Sequence, residues 1–287
     1  RFDDEVIASP MACLASTQPY ASSGLKIVWA DVDPATGTLD PESVKKSITS
    51  RTKMIVHNHF CGYPGYVDEI NAIGREYGVP VVDDGIECFG SEYKDRIIGV
   101  SGADAAVFSF NAVRIPNTID GGAVVFRNRD LYEKSLLARD CGIDRSKFRD
   151  ELGEISPKCD IKTIGFSATM SNLNGYIGLQ QMKHVPEILE AQRLQAQKWD
   201  EYFAESREGV PLRRDFQNPN YWVYGILSDN KRETIVKFRE KGFYASGVHI
   251  KNNVYSVFGR NALTSLNGVD DFYRRFVALP CGWWMDE

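Results

Sequence analysis

Residues 81–122 read VVDDGIECFGSEYKDRIIGVSGADAAVFSFNAVRIPNTIDGG, and their pattern decides the fold. An apolar run ends in Asp83-Asp84, and a second one closes in Phe108-Ser109. A basic residue follows at Arg114, and Gly121-Gly122 turns toward a further strand. In an open α/β sheet, ligands bind beyond the carboxyl ends of the strands, where Asp84 and Ser109 both fall. Successive strand residues face opposite ways, so at most one of Asp83 and Asp84 enters such a site. Taken alone, an Asp-Asp-Gly more often just ends a strand in a turn.

Outward from this stretch, strands alternate with helices. Strand patterns occupy 26–33, 53–60, 79–84 and 123–127, and helical spacing occupies 41–48, 67–77 (stopped by Gly78) and 130–139. This order calls for an α/β fold with a mostly parallel sheet covered by helices on both faces. Residues 143–163 are polar, charge-rich and aperiodic, and are expected to form a long surface excursion. A helical stretch over 172–205 is interrupted at Pro186, which places a boundary between a large domain, 1–185, and a smaller α/β domain, 186–287. In the latter, 221–227 and 243–250 read as strands and 232–241 as a helix.

Composition narrows the function. With 287 residues, 43% hydrophobic and 25% charged, the chain is that of an ordinary globular protein. A formal charge of -5 gives no general basic field, which excludes nucleic acid as the main partner. No apolar run reaches bilayer length and no leader opens the chain, so no membrane role and a cytoplasmic location are expected. Six cysteines without a C-x-x-C indicate reduced thiols. The chain opens at Arg1 with strand-like residues, and an upstream segment is expected to be missing.

His57 and His59 share one strand face and offer two metal ligands without a third, so a core or site-lining role is expected and no metal. His249 ends a predicted strand as either a substrate contact or a plain hydrogen-bonding group. No G-x-G-x-x-G follows a strand, so a dinucleotide fold is unsupported.

The order of Asp84, Phe108-Ser109-Phe110, Arg114, Asp120-Gly121-Gly122 and GFSATMSNLNGYIG (165–178) resembles the sugar aminotransferases of the DegT/DnrJ/EryC1/StrS group. DEVIASPMACLAST (4–17), GYPGYVDEI (62–70), GVHIKNNVYSVF (247–258) and LPCGWWMDE (279–287) extend the resemblance over nearly the whole chain. It implies the pyridoxal-phosphate transferase fold type I, with a mostly parallel central sheet between helices and a smaller C-terminal α/β domain, the family's N-terminal segment being absent. It also implies pyridoxal or pyridoxamine phosphate as cofactor, a nucleotide-sugar substrate, an amino donor, and a homodimer with shared active sites. Contacts with the second subunit are expected at 143–163 and 165–174.

Residue by residue, Asp84 matches the carboxylate that pairs with the pyridine nitrogen, where a protonated ring acts as electron sink. Ser109 matches a hydroxyl on the cofactor phosphate, and Cys13 stands where the family has an aromatic stacked on the ring. Ser167 stands where many members have an Asn that reaches the partner subunit's phosphate. Glu87 replaces a Gln that donates to the phenolic oxygen, which a carboxylate repels unless protonated. Arg114 occupies the position of the Schiff-base lysine, and a guanidinium cannot be deprotonated to make that bond. The Ser-Gly-Thr phosphate loop of the family lies upstream of Arg1.

Arg114 is thus expected to pair with either Glu87 or Asp84. Three activities remain open. One is a pyridoxal-phosphate nucleotide-sugar aminotransferase of polysaccharide or natural-product sugar biosynthesis. Another is a lysine-free, pyridoxamine-phosphate sugar dehydratase-like enzyme with His59 or His249 moving the proton. The third is a silent relative, its cofactor lost, that binds a sugar nucleotide or a partner chain.

Overall fold

The computed structural model describes residues 3–215, 217–259 and 265–285, which leaves Arg1, Phe2 and the last two residues of the closing stretch outside. In chain order the elements are β1 (Glu5–Ala8), α1 (Leu14–Ser22), β2 (Lys26–Trp29), α2 (Pro41–Ser47), β3 (Thr52–Asn58), α3 (Val67–Tyr77) and β4 (Val81–Asp84). Two short strands, β5 (Glu92–Tyr93) and β6 (Arg96–Ile97), precede β7 (Ala105–Ser109), β8 (Gly122–Phe126) and α4 (Arg129–Arg139). Then come α5 (Asn172–Met182), α6 (Val185–Glu205), β9 (Val210–Pro211), β10 (Gln217–Asn218), β11 (Tyr224–Leu227), α7 (Lys231–Glu240), α8 (Asn267–Arg275) and β12 (Phe276–Leu279).

The main sheet runs β2-β1-β3-β4-β7-β8. Its first five strands are parallel and β8 is antiparallel to β7. This is the α/β arrangement expected from the alternation of strands and helices. The register sets His57 opposite Asp83 and Asn58 opposite Asp84, and it sets Asp84 opposite Val107 of β7. The carboxyl ends of β3, β4 and β7 therefore lie side by side.

Local chemistry explains the helix ends. Asp40 caps α2 by accepting from the Glu42 N–H, with Pro41 at the first turn where its missing donor costs nothing. Acidic Asp68 and Glu69 open α3, Arg75 lies in its last turn, and Gly78 closes it at φ 65. Pro186 lies in the first turn of α6 and so starts that helix; α5 and α6 are separate helices rather than one kinked helix.

One predicted strand is corrected. Residues 243–250 form no strand; only Ser246 bridges, to Ala278, and Val248 sits at φ 56, outside the β region. The C-terminal sheet is instead β12-β11-β9, so both edges of β11 are already paired.

The largest buried cluster joins the two halves of the chain: Val6, Met11 and Phe60 pack with Phe238, Phe272, Phe276 and Leu279. Phe60 meets Phe272 and Phe276 edge-on at 5.1 and 5.0 Å. Burying each such ring contributes about 1.5–3 kcal/mol, which holds the segment after β3 against the C-terminal sheet. Among the described residues, no helix is long and apolar enough to cross a membrane.

Candidate active site

Asp84 ends β4 and is buried. Its Oδ2 accepts from Asn58 Nδ2 at 2.7 Å across the sheet, and its Oδ1 accepts from the Ile86 N–H at 3.4 Å. Burial, with a contribution from Glu87, pushes this carboxyl above its ordinary value, and among the described residues no cation forms an ion pair with it.

Helix α1 closes over the same carboxyl. Tyr20 stands near it, its hydroxyl pushed up to about 12 by burial and by the Asp84 charge. Ser16 also lies beside Asp84, and its buried hydroxyl acts to lower that carboxyl, against burial. Cys13 is the residue before α1, and its carbonyl accepts from Asn252 Nδ2 at 3.4 Å. The spacing 13, 16, 20 is that of one helix face, a signal the sequence held once the segment is seen as helical.

Asp83 points the other way, as strand alternation requires. Its Oδ2 accepts from Ser101 Oγ at 3.1 Å, and its Oδ1 faces His59 Nε2 at 3.3 Å and His57 Nδ1 at 3.6 Å. Burial pushes the Asp83 carboxyl up, but His59 and His57 outweigh it and hold it well below the usual carboxylate range. Burial also lowers His57. These three groups cluster closely enough for a metal ion. The tautomer opposes one: His59 Nδ1 accepts the Gly65 N–H at 3.1 Å, so neutral His59 carries its proton on Nε2 and offers no lone pair there. His59 is therefore turned onto Asp83, on the face away from Asp84.

Glu87, Arg114 and His249 converge. Glu87 Oε1 lies 3.3 Å from Arg114 Nη2 and 3.0 Å from His249 Nε2, while its Oε2 accepts the Cys61 N–H at 2.9 Å. The Glu87 carboxyl sits below its ordinary value: burial raises it, and His249 and Arg114 outweigh burial. Of the two pairings open to Arg114, the structure forms the one with Glu87. Cys61, Glu87 and His249 also approach metal-binding spacing. However, burial and the Glu87 charge keep the Cys61 thiol protonated, and the guanidinium on the same carboxylate repels a cation.

Trp222, which the sequence reading did not single out, completes this cluster. The Arg114 guanidinium carbon lies 4.3 Å from its ring centroid, and Trp222 Nε1 donates to the Val113 carbonyl at 2.8 Å. Trp222 precedes β11 and lies more than a hundred positions from Arg114 in sequence, so only the fold unites them. Nearby, Asn220 Nδ2 donates to the carbonyls of Glu87 and Phe89, tying the loop after β4 to the C-terminal half. Gly62 at φ 94 leaves room for this: a Cβ there would stand 2.2 Å from Asn220 Oδ1. Among the described donors and acceptors, Arg114 Nε and Nη1 have no partner although the side chain is only 9% exposed.

Ser109 ends β7, and its Oγ accepts the Asn111 N–H at 3.3 Å at the start of the turn that carries Arg114. Ser167 is placed elsewhere, exposed at the surface and bridged through its backbone to Asp140.

The sequence matches the DegT/DnrJ/EryC1/StrS aminotransferase family over residues 2–287. It is 34% identical to the uncharacterized protein MJ1066 of Methanocaldococcus jannaschii over 243 residues, which cover 83% of this chain and 62% of that protein. The chain thus spans less than two thirds of that relative's length. The fold matches AtS13 from Actinomadura melliaura with a TM-score of 0.91 and 31% identity, covering 99% of this chain and 76% of that one. It matches the sugar aminotransferase CalS13 from Micromonospora echinospora with a TM-score of 0.91 and 29% identity, covering 99% and 77%. Together with the mostly parallel sheet and the placement of Asp84 and Ser109 at its carboxyl ends, this match means that the chain belongs to the DegT/DnrJ/EryC1/StrS aminotransferase family.

Proposed function

We propose that the protein carrying this chain transfers an amino group to the keto carbon of a nucleotide-linked sugar, using pyridoxal or pyridoxamine phosphate held without a covalent bond. The observation that carries this reading is the Asp84 carboxyl: buried, braced by Asn58 and in no ion pair among the described residues, it suits the N–H of a protonated pyridine ring. Family membership and the likeness to a sugar aminotransferase supply the reaction class. When bound, the cofactor supplies an electron sink for the carbon that gains or loses nitrogen.

The chain's own groups divide the remaining work. Asp84 keeps the ring nitrogen protonated, and Ser109 offers its hydroxyl to the phosphate. Arg114 remains a fixed cation and moves no proton. His249 Nε2, seated 3.0 Å from Glu87 Oε1, is the imidazole placed to exchange one, whereas His59 faces away. The amino donor is a second substrate.

Two copies of the chain are proposed to pair through the segment that holds Ser167. Ile164 and Phe166 are 94% and 71% exposed, and Leu173, Tyr176 and Leu179 of α5 are exposed beside them, an apolar surface of the kind subunits cover. Six free cysteines suit a reducing cytoplasm.

A second reading, ligand binding without turnover, is favoured by the Glu87–Arg114 pair, which replaces the two groups that make the family's site reactive. Full-length protein incubated with each cofactor, a keto-sugar nucleotide and glutamate separates the two. Bound cofactor in the absorbance spectrum with an amino sugar by mass spectrometry supports the first reading, and bound cofactor without product supports the second. Failure of both cofactors to bind removes the first reading.

A further inference from the structure

We propose that Arg114 is an oxyanion anchor, its Nε and Nη1 donors taking an anionic oxygen of the ligand in the site walled by Glu87, His249 and Trp222. Both its cofactor arm and its donor arm rest on the function proposed above.

Among the described residues these two donors have nothing to bond. Arg114 is 9% exposed, and burying guanidinium donors without acceptors is costly, so an acceptor from outside the chain is called for. The nearby acceptors are already engaged. Glu87 Oε2 takes the Cys61 N–H, and Glu87 Oε1 is shared by His249 and Arg114 Nη2. The Val113 carbonyl takes Trp222 Nε1.

The guanidinium is also fixed in place. Glu87 holds Nη2 while the Trp222 ring lies against its face, so the free donors keep one orientation. A planar oxyanion matches such an arrangement better than a point charge or a neutral group does. Two sources offer one: the phenolate oxygen of pyridoxal phosphate, and the carboxylate of an amino donor or its keto acid.

The test is a titration of full-length protein with pyridoxal phosphate and, separately, with 2-oxoglutarate, followed by tryptophan fluorescence because Trp222 lies on Arg114. The unaltered protein is compared with Arg114→Met, and with Arg114→Gln should the first variant unfold. Loss of at least about tenfold in affinity for pyridoxal phosphate supports the proposal and assigns the oxygen to the cofactor. The same loss for 2-oxoglutarate alone supports it and assigns the oxygen to the donor. Affinities for both probes unchanged within about twofold overturn it, and tight cofactor binding in that case leaves the proposed function standing. Binding of neither probe by the unaltered protein overturns both.

Discussion

The Glu87 carboxylate and the Arg114 guanidinium stand 3.3 Å apart inside the chain, with side chains 2% and 9% exposed. Removing one member of such a pair leaves an uncompensated buried charge. Glu87→Ala is therefore expected to cost about 3–5 kcal/mol, read from denaturant unfolding. Glu87→Gln, which still accepts from Arg114, is expected to cost clearly less.

The same pair sets an acid limb. The Glu87 carboxyl is lower in the folded chain than in the unfolded one, so its stabilising contribution is complete above the unfolded value and is lost as pH falls through the folded value. Asp83 acts in the same direction through His59 and His57. Melting temperature measured from neutral pH downward should thus fall on the acid side, and Glu87→Gln should flatten that fall in part, Asp83 retaining the rest.

Asp84 behaves oppositely. Its folded value is raised by burial, so its contribution is complete below the unfolded value and is lost as pH rises through the folded one. Asp84→Asn avoids the buried charge and keeps an acceptor for Asn58. The cofactor-free variant should melt higher at neutral pH, by about 2–4 °C for each kcal/mol gained, while losing at least about tenfold in affinity for pyridoxal phosphate. Calorimetry and fluorescence titration read the two effects.

Much of this site was legible in the sequence because strand ends and strand alternation are local properties. They placed Asp84 and Ser109 at sheet ends and put Asp83 and Asp84 on opposite faces, while the family resemblance singled out Asp84. Residues 243–250 misled because their apolar content suits a strand, while Val248 in the left-handed region and the pairing of β12 with β11 are set by tertiary packing. Trp222 and Asn220 carry no local signal at all; they reach Glu87 and Arg114 only through the packing of the C-terminal half. His59 reads as a candidate base from its position alone, and its tautomer becomes fixed only once Gly65 folds over it.

Trp222 is expected to hold Arg114 measurably. Trp222→Leu removes a largely desolvated cation–π contact worth about 1–2 kcal/mol and an indole hydrogen bond worth about 1 kcal/mol. A double-mutant cycle with Arg114→Met should give a coupling near the first figure, whereas additive effects would show that the stacking contributes nothing.

Phe166→Asp and Leu173→Asp place charges on the exposed apolar segment beside Ser167. Light scattering should show a dimer for the unaltered protein and a monomer for the double variant, with the melting temperature of the monomer barely changed by these surface positions.

The cofactor is proposed to be held without a covalent bond, and that mode of binding can be read out chemically. It is tested most directly by borohydride reduction of full-length protein loaded with one equivalent of pyridoxal phosphate, followed by peptide mass mapping. No stoichiometric phosphopyridoxyl adduct is expected on the unaltered protein, and one is expected at position 114 in Arg114→Lys. A stoichiometric adduct on a single lysine of the unaltered protein would contradict that mode of binding.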